Sequence, residues 1–318
     1  MVTNTRPERT LVWMQSFHYR RYMNPPPSFP GDESFRLRNG RRLGFARYGR
    51  DDGVPAFYFH GLPGSRREGA LLQQACSDAG VQLIAPDRPG YGLSDPQVEH
   101  RIQQWPKHIE ALAEHLGFDT FYLLATSGGA PYALACASML AARVKATGIC
   151  CGMGEITRPE LRAEMRINAR LGLWLARRNP AWLKYSYGPV VVPTSRWMPR
   201  LSVTVLSLVN GPADRAVLRQ PEVRFWFAEN LREAFRQGTA GGVADICAAN
   251  APWPFDLTAI RNLQLWHGLD DRVVPASHSR RLAAAVPGTQ LQLKPGEGHF
   301  SLPVRYGHAI VNALLEAG

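Results

Sequence analysis

One serine of this 318-residue chain stands in a setting that would make its hydroxyl a nucleophile. Ser127 lies in the pentapeptide Ala125-Thr126-Ser127-Gly128-Gly129, which follows an apolar, β-rich run and precedes a helical pattern. A strand-to-helix turn this sharp needs small residues two positions either side, and it projects the hydroxyl from the carboxyl edge of a sheet. The following helix N-terminus favours developing negative charge. Glycine-rich turns of this kind also bind phosphate or no ligand, so the pentapeptide alone does not decide the chemistry.

Two late segments supply the groups that such a serine needs. A serine hydroxyl attacks poorly unless a histidine takes its proton and a carboxylate holds the imidazole in the right tautomer. One loop after a predicted strand contains Asp270 and Asp271, and the loop after the last predicted strand contains His299. Both loops fall where a parallel sheet collects its site residues. The sequence therefore predicts a serine–histidine–acid arrangement, with the acid open between two adjacent aspartates.

The elements that would position these residues alternate regularly along the chain. Strands that alternate with helices of this length predict parallel pairing with crossover helices. An Asn39-Gly40 pair predicts a tight hairpin before them, because it supplies the positive φ angles of such a turn. The predicted class is α/β, a mostly parallel sheet with helices on both faces. Strands are predicted at 34–38, 42–48, 56–60, 81–85, 120–125, 144–150, 262–266 and 289–293, and helices near 66–79, 101–116, 129–142, 276–285 and 306–317.

The alternation stops in the middle of the chain. Residues 155–250 are rich in Arg, Trp, Leu and Pro and show no strand–helix alternation, which predicts several short helices inserted after the sixth strand as a cap. Residues 31–154 and 251–318 form the predicted core. Residues 1–30 end in a proline-rich stretch that is expected to form neither a helix nor a central strand, and they are predicted to be an N-terminal arm.

Together these motifs resemble the α/β-hydrolase-fold superfamily over residues 33–318. The resemblance rests on five motifs that occur in the same order as in the family. Along the chain they are His60 to Ser65, Asp87 to Asp95, the Ser127 turn, the Asp271 turn and the Gly298-His299 pair. It implies Ser127 as the nucleophile, His299 as general base and acid, Asp271 as the orienting carboxylate, and the inserted segment as a helical lid.

Departures from the family pattern bear on the acid and on the branch. Ala125 replaces the commoner glycine and is still small. The spacing Gly-x-x-Asp-x-x-Val-Pro favours Asp271 over Asp270, and some relatives place the acid after the sixth strand, where Glu155 stands. A serine nucleophile argues against haloalkane dehalogenases and epoxide hydrolases, whose nucleophile is aspartate. The HGGPG-like signature of proline iminopeptidases is replaced by the sequence HGLPG at 60–64.

The oxyanion hole requires two backbone N–H groups aimed at the developing charge. Gly128, the residue after the nucleophile, supplies one. The other should follow the His60-Gly61 turn, and since Pro63 has no N–H to give, Leu62 is the candidate. His60 itself is interpreted as structural.

Composition excludes several other classes of protein. With 45% hydrophobic residues the chain is a folded globular protein, and no apolar run is long enough to span a bilayer. No signal-peptide core follows the N-terminus, so we expect a cytoplasmic protein. Five cysteines without a CxxC pair predict reduced, mostly buried thiols, and neither a metal nor a cofactor is expected. The net charge of +11 comes with no nucleic-acid-binding motif, so no nucleic-acid partner is expected.

The positive charge is concentrated in residues 1–50 and 155–245, which are the predicted arm, the first hairpin and the cap. Arg162, Arg166 and Arg170 recur every four residues and are predicted to share one helix face, either solvated or able to contact an anionic membrane surface. Aromatic residues of the cap are predicted to be packing residues for the most part, with some lining an apolar pocket: Trp174, Trp182, Trp197, Phe225, Trp226 and Phe227.

The predicted function is a serine hydrolase that cleaves an ester or related acyl bond of a small, largely apolar substrate through an acyl-enzyme. Two alternatives stay open: a small-molecule receptor or sensor with little turnover, and a carbon–carbon bond hydrolase or lyase, because one fold hosts many functions.

Overall fold

An eight-stranded sheet organises the part of the chain that the structure describes. The computed structural model describes residues 31–318, and the predicted arm at 1–30 lies outside them. The strand order is β1-β2-β4-β3-β5-β6-β7-β8. The strands are β1 (Glu33–Arg36), β2 (Arg42–Gly49), β3 (Val54–Phe59), β4 (Val81–Pro86), β5 (Phe121–Thr126), β6 (Val144–Cys150), β7 (Leu263–Gly268) and β8 (Gln290–Lys294).

The sheet is mostly parallel, as predicted. Strand β2 pairs antiparallel with β1 on one side and with β4 on the other, and the other five strand pairings are parallel. The hairpin turn between β1 and β2 is wider than predicted, since the Leu37 N–H donates to the Arg41 carbonyl at 2.9 Å. Only Gly40 of the Asn-Gly pair has a positive φ, 79°, so the turn is not the two-residue type.

Helices cover both faces of this sheet. The predicted helix at 66–79 is a 3-10 helix, Arg66–Leu72, followed by a short α-helix, and the last helix begins at Ser301, five residues before the predicted start. The flanking helices are α1 (Gln73–Asp78), α2 (Trp105–Leu116), α3 (Ala130–Met139), α11 (Ser277–Ala285) and α12 (Ser301–Glu316).

Two apolar clusters lie on opposite faces of the sheet. Phe57 and Leu123 point to the face that α2, α3 and α11 cover, while the neighbouring Tyr58 and Leu124 point to the face that α1 and α12 cover. Side chains of a strand alternate between faces, so strands buried on both sides consist of nearly continuous apolar residues. This burial fixes the register and aligns the carboxyl ends of β5, β7 and β8 along one edge.

A helical insertion follows the sixth strand, as the sequence predicts. Between β6 and β7 the chain forms seven α-helices, one short 3-10 helix and no strand. The α-helices are α4 (Pro159–Glu164), α5 (Ile167–Arg178), α6 (Pro180–Trp197), α7 (Pro199–Val209), α8 (Pro212–Leu218), α9 (Pro221–Ala234) and α10 (Ala240–Ala249). We call α5 to α7 the outer helices and α8 to α10 the inner helices, and α4 belongs to neither group. Within residues 31–318, no helix is both long and apolar enough to cross a bilayer.

Two predictions for the insertion are wrong. Arg162, Arg166 and Arg170 do not share one helix, because the backbone is extended at Met165 and Arg166 and separates α4 from α5. Nor do the tryptophans of the outer helices pack inside. Trp174, Trp182 and Trp197 are 49%, 50% and 71% exposed, whereas Phe227 on an inner helix is buried.

Candidate active site

Ser127 occupies the sharp turn that the sequence predicts. It follows β5 directly, and its φ of 54° lies in the left-handed region, which residues other than glycine rarely adopt. A 3-10 turn, Ser127–Gly129, then leads into α3. A Cβ at Gly128 would meet Leu62 Cβ at 2.5 Å, and one at Gly129 would clash with the Phe59 carbonyl. The small residues therefore let the turn press against the loop that follows β3.

His299 and Asp271 are brought together after the last two strands. His299 Nδ1 and Asp271 Oδ2 are 2.7 Å apart, and the Asp271 side chain is fully buried. The other oxygen, Oδ1, accepts the backbone N–H groups of Val273 and Val274 at 2.8 and 2.9 Å. Asp270 is exposed. The geometry thus selects Asp271 from the two adjacent aspartates.

The alternative acid, Glu155, is engaged elsewhere. Its Oε1 accepts the Trp253 N–H at 3.0 Å, and its Oε2 accepts from Arg158 at 2.8 Å. Neither oxygen therefore orients the imidazole of His299.

Electrostatics couples the two members of the His299–Asp271 pair. Burial alone would lower the pKa of His299, but the Asp271 carboxylate outweighs it and holds that pKa well above its ordinary value. Burial likewise opposes ionisation of Asp271, yet His299 and a hydrogen bond from His267 hold the pKa of Asp271 well below its ordinary value. At neutral pH the carboxylate is ionised, and it favours positive charge on the imidazole.

The Ser127 hydroxyl makes no hydrogen bond to His299 in the described part of the chain. Its backbone carbonyl instead accepts the Met153 N–H at 3.0 Å, which ties the turn to the segment after β6. Hydroxyl–imidazole bonds of this kind often tighten only in the substrate complex, so the geometry is compatible with proton transfer. The catalytic roles of Ser127, His299 and Asp271 stay predictions.

The backbone around the predicted oxyanion hole is arranged by a buried glutamate. Glu68 Oε1 accepts the Gly61 N–H at 3.0 Å, so this N–H is already engaged by a carboxylate. The next N–H, that of Leu62, lies 3.2 Å from the position a Cβ at Gly128 would occupy. Leu62 and Gly128 therefore adjoin each other, as a shared oxyanion hole requires, and their role stays a prediction.

Cys151 is a neighbour of His299 whose position in the site the sequence analysis missed. Its thiol is buried, donates to the Gly298 carbonyl oxygen at 3.8 Å and interacts electrostatically with His299. Burial raises the pKa of this thiol well above its ordinary value, so it stays protonated. All five cysteines lie in the described residues and are free, and four are buried, which confirms the prediction of reduced, mostly buried thiols.

Cys151 also belongs to the one group of described residues with the spacing of a metal site. Ligand atoms of Cys151, His267 and Asp271 all lie within 4.8 Å of one another. However, His267 Nε2 donates to the Val274 carbonyl at 2.9 Å, and its Nδ1 accepts from Ser279 at 2.7 Å. Asp271 is likewise engaged by four donors, so a metal would have to displace the hydrogen bonds that hold the acid.

Each inner helix sends one buried polar residue to a loop of the site. Asp214 of α8 accepts the backbone N–H groups of three successive residues, His299 at 3.1 Å, Phe300 at 2.8 Å and Ser301 at 2.9 Å. Asn230 of α9 accepts the Ser65 N–H at 2.8 Å and donates to Glu68 at 3.1 Å. These two side chains fix the histidine loop and the loop that follows β3.

Asp245 of α10 acts through Arg88. Both side chains are nearly fully buried, and Asp245 Oδ2 lies 2.7 Å from Arg88 Nη2. The Arg88 guanidinium in turn donates to the carbonyls of His60 and Gly61. His60 Nε2 accepts the Arg88 N–H at 3.2 Å, which supports the structural reading of this histidine. We call Asp214, Asn230 and Asp245 the three anchors.

Comparison with known proteins agrees with this fold. The family model described as alpha/beta hydrolase fold matches residues 57–184. The chain is 27% identical over 307 residues to a 2-hydroxymuconate semialdehyde hydrolase from Pseudomonas putida, covering 93% of this chain and 98% of that one. Among solved structures, a hydrolase from Pseudomonas aeruginosa matches with a TM-score of 0.67 and 15% identity, over 90% of this chain and 98% of that one. A thermophilic esterase from Thermogutta terrifontis matches with a TM-score of 0.66 and 20% identity, over 90% and 99%.

The structural matches, all at low sequence identity, establish the fold, and the family model covers the strands and the turn that carry Ser127. The sheet order, the helical insertion after β6 and these similarities lead to one conclusion. The described chain has an α/β-hydrolase fold, and residues 57–184 match the family model of that fold.

Proposed function

We propose that this protein is a serine hydrolase that cleaves an ester or related acyl bond of a small, largely apolar substrate through an acyl-enzyme. The observation that carries the proposal is the buried His299–Asp271 pair, 2.7 Å apart, at the same sheet edge as Ser127 in its left-handed turn. A buried carboxylate that orients a histidine beside an elbow serine is the arrangement that activates a hydroxyl for acyl transfer.

The proposed reaction has two halves. Ser127 Oγ attacks the acyl carbon while His299 takes its proton, and the Leu62 and Gly128 N–H groups stabilise the oxyanion. His299 then gives that proton to the leaving group, whose bond to the acyl carbon breaks. Water attacks the acyl-enzyme in the same way, with its proton passing to His299 and then to Ser127 Oγ, which releases the acid.

An apolar acyl group fits the surroundings of the site. Leu62, a predicted oxyanion donor, and Phe300, which follows His299 in the chain, pack against a buried apolar cluster formed mainly by α8 and α9. Phe227 of that cluster stands edge-on to Phe300, with ring centroids 5.3 Å apart. Pockets lined mainly by apolar groups with few polar ones favour small apolar substrates.

A carbon–carbon bond hydrolase is the second candidate. It is favoured by the similarity over nearly the full length of both chains to a 2-hydroxymuconate semialdehyde hydrolase. Turnover of 2-hydroxymuconate semialdehyde without turnover of any ester would select it over the first candidate.

The nucleophile is tested with short p-nitrophenyl esters and a fluorophosphonate probe. We expect Ser127→Ala to lose about 10⁴- to 10⁶-fold in kcat and to lose covalent labelling. Ser34→Ala, at an exposed position on β1, is the matched control and should behave as wild type. Ester turnover retained by Ser127→Ala would contradict the proposal, and a wild-type protein that binds small molecules but never labels would favour the receptor alternative.

The pH dependence tests the role of Asp271. The general base must be neutral, so kcat/KM should rise with pH through the pKa of His299, which Asp271 holds well above 6.5. Asp271→Asn removes the charge and leaves burial, which lowers the pKa, so the acidic limb should move to lower pH while kcat falls about 10⁴-fold. Asp270→Asn should leave the profile unchanged, and an unmoved limb in Asp271→Asn would contradict the assignment.

A further inference from the structure

The outer helices turn apolar residues to the outside. On α5, Ile167, Leu171 and Trp174 are 75%, 54% and 49% exposed, at positions i, i+4 and i+7 of one helix face. The residues buried from this helix, Leu173 and Ala176, lie on its other side. A surface helix ordinarily presents its polar face to water, so α5 is reversed in this respect.

The same pattern recurs on α7. Leu201, Val205 and Leu208 are 44%, 51% and 56% exposed, again at i, i+4 and i+7, while Val203 is buried. Arg166 at the start of α5 donates to the carbonyl of Val209 at the end of α7 at 2.7 Å, which brings the two helices together. The helix between them in the chain, α6, exposes four large apolar side chains: Trp182, Tyr185, Val190 and Trp197.

These apolar side chains define what we call the outer face. Of the sixteen large hydrophobic residues exposed in the described part of the chain, twelve lie between 167 and 209. Monomeric proteins rarely expose a concentrated apolar surface of this kind without a binding role.

The charge of the outer face has one sign. Residues 165–213 contain seven basic residues and no acidic one. Three of these cations lie over exposed aromatic rings of the same face, Arg178 over Trp174 at 5.6 Å, Lys184 over Tyr185 at 5.7 Å and Arg196 over Trp197 at 5.9 Å. Tryptophan and tyrosine rings flanked by basic side chains are what the boundary between lipid headgroups and acyl chains attracts.

We propose that the outer face docks on an anionic lipid bilayer, with its aromatic and aliphatic side chains among the acyl chains and its basic groups at the headgroups. Charge complementarity favours this occupant over a second copy of the chain, whose outer face would bring another seven positive charges. It also disfavours residues 1–30, which have four arginines against one glutamate. The inference does not depend on the proposed hydrolase activity.

A cleft of about 360 Å³ borders the outer face. Trp197, Met198 and Leu201 line it together with Arg200, and α9 adds Arg232 and Glu229, which pair with each other at 3.1 Å. Apolar walls beside Arg200 suit a phosphate that leads into hydrocarbon, since arginine pairs well with phosphate oxygens.

The test is co-sedimentation of the full chain with vesicles of phosphatidylglycerol and phosphatidylcholine, against vesicles of phosphatidylcholine alone. We expect binding to the anionic vesicles that weakens as salt rises from 0.1 to 0.5 M, because the screening length falls from about 10 Å to less than half of that. The double variant Leu171→Ser/Trp174→Ser should lower the partition coefficient about tenfold. Arg177→Gln/Arg178→Gln should lower binding to anionic vesicles only.

Matched controls separate the outer face from general effects. Val98→Ser/Met139→Ser removes two apolar side chains that lie outside the insertion and are 91% and 46% exposed, and this variant should bind as wild type. The variants should keep the circular dichroism and melting temperature of wild type. Unchanged vesicle binding in the two outer-face variants would overturn the proposal. So would a wild-type dimer in sedimentation equilibrium that Leu171→Ser/Trp174→Ser converts to a monomer, because the occupant would then be a second copy.

Discussion

The inner and outer helices of one insertion differ in what they contact. Each inner helix buries one polar anchor that holds a loop of the candidate site, and two of the three anchors are carboxylates. The outer helices contain no acidic residue and turn aromatic, aliphatic and basic side chains to solvent. The inner helices therefore fix the geometry of the candidate site through buried polar groups, whereas the outer helices leave their apolar and basic groups accessible to a binding surface of the kind proposed above.

Of the variants that test this difference between inner and outer helices, Asp245→Ala should have the largest effect on stability. Asp245→Ala leaves the buried Arg88 guanidinium without its partner, and loss of one member of a buried pair costs about 3–5 kcal/mol. We expect that loss in the free energy of unfolding, measured with urea. Asp245→Asn keeps hydrogen-bond acceptors without the charge and should lie between alanine and wild type. Wild-type stability in both variants would show that α10 does not hold the site.

Asp214 should affect activity more than stability. Asp214→Ala leaves three backbone N–H groups of the histidine loop without their acceptor, at about 1–3 kcal/mol for a buried group that stays unpaired. A loop displaced by about 1 Å can cost 10²-fold in rate, so kcat should fall by about that factor. In Asp214→Asn one oxygen can still accept from Phe300 and Ser301, and most of kcat should be retained. A fall in KM alone, without a change in kcat, would contradict this role.

Asn230 and Asn168 allow the same substitution on an inner and an outer helix. Asn230→Ala removes the acceptor of the Ser65 N–H and should cost about 1–2 kcal/mol of unfolding free energy. Asn168 is exposed on α5, so Asn168→Ala should change stability by less than about 0.5 kcal/mol. Thermal melts of the two variants side by side measure the difference, and equal losses would remove the distinction between the two groups of helices.

The smallest effect is expected from the outer face itself. Trp182→Ser removes a half-exposed ring with no buried hydrogen bond, so stability and p-nitrophenyl ester turnover in solution should stay within about 0.5 kcal/mol and twofold of wild type. A loss of stability as large as that of Asn230→Ala would show that the outer helices pack as tightly as the inner ones.

The sequence predicts the elements whose signals are local. Ser127 and His299 stand in short motifs directly after apolar runs, and both are found after the strands where they were expected. The choice between Asp270 and Asp271 also follows from spacing, and the 2.7 Å contact with His299 agrees with it. Each of these inferences needs only a strand and the few residues after it.

The anchors could not be predicted, because their partners are distant in the chain. Asp214 lies 85 residues before His299, and Asn230 lies 165 residues after Ser65. No periodicity links a single polar residue on a short helix to a loop that tertiary packing alone brings near. The buried side of α5 could not be predicted either. Apolar residues occur on both sides of this helix, so the sequence does not show that Leu173 is buried and Leu171 exposed.

The position of the anchors has a consequence for protein engineering. All three follow Gly211 in the chain, so residues 158–210 form a cassette that can be exchanged without removing a single anchor. Chimaeras that take these residues from a relative should keep the three anchors. The histidine loop, the Ser127 turn and the loop after β3 should then keep their positions. Selection on the exposed surface of the insertion can then act on the cassette, while the part of the protein that holds the candidate site stays constant.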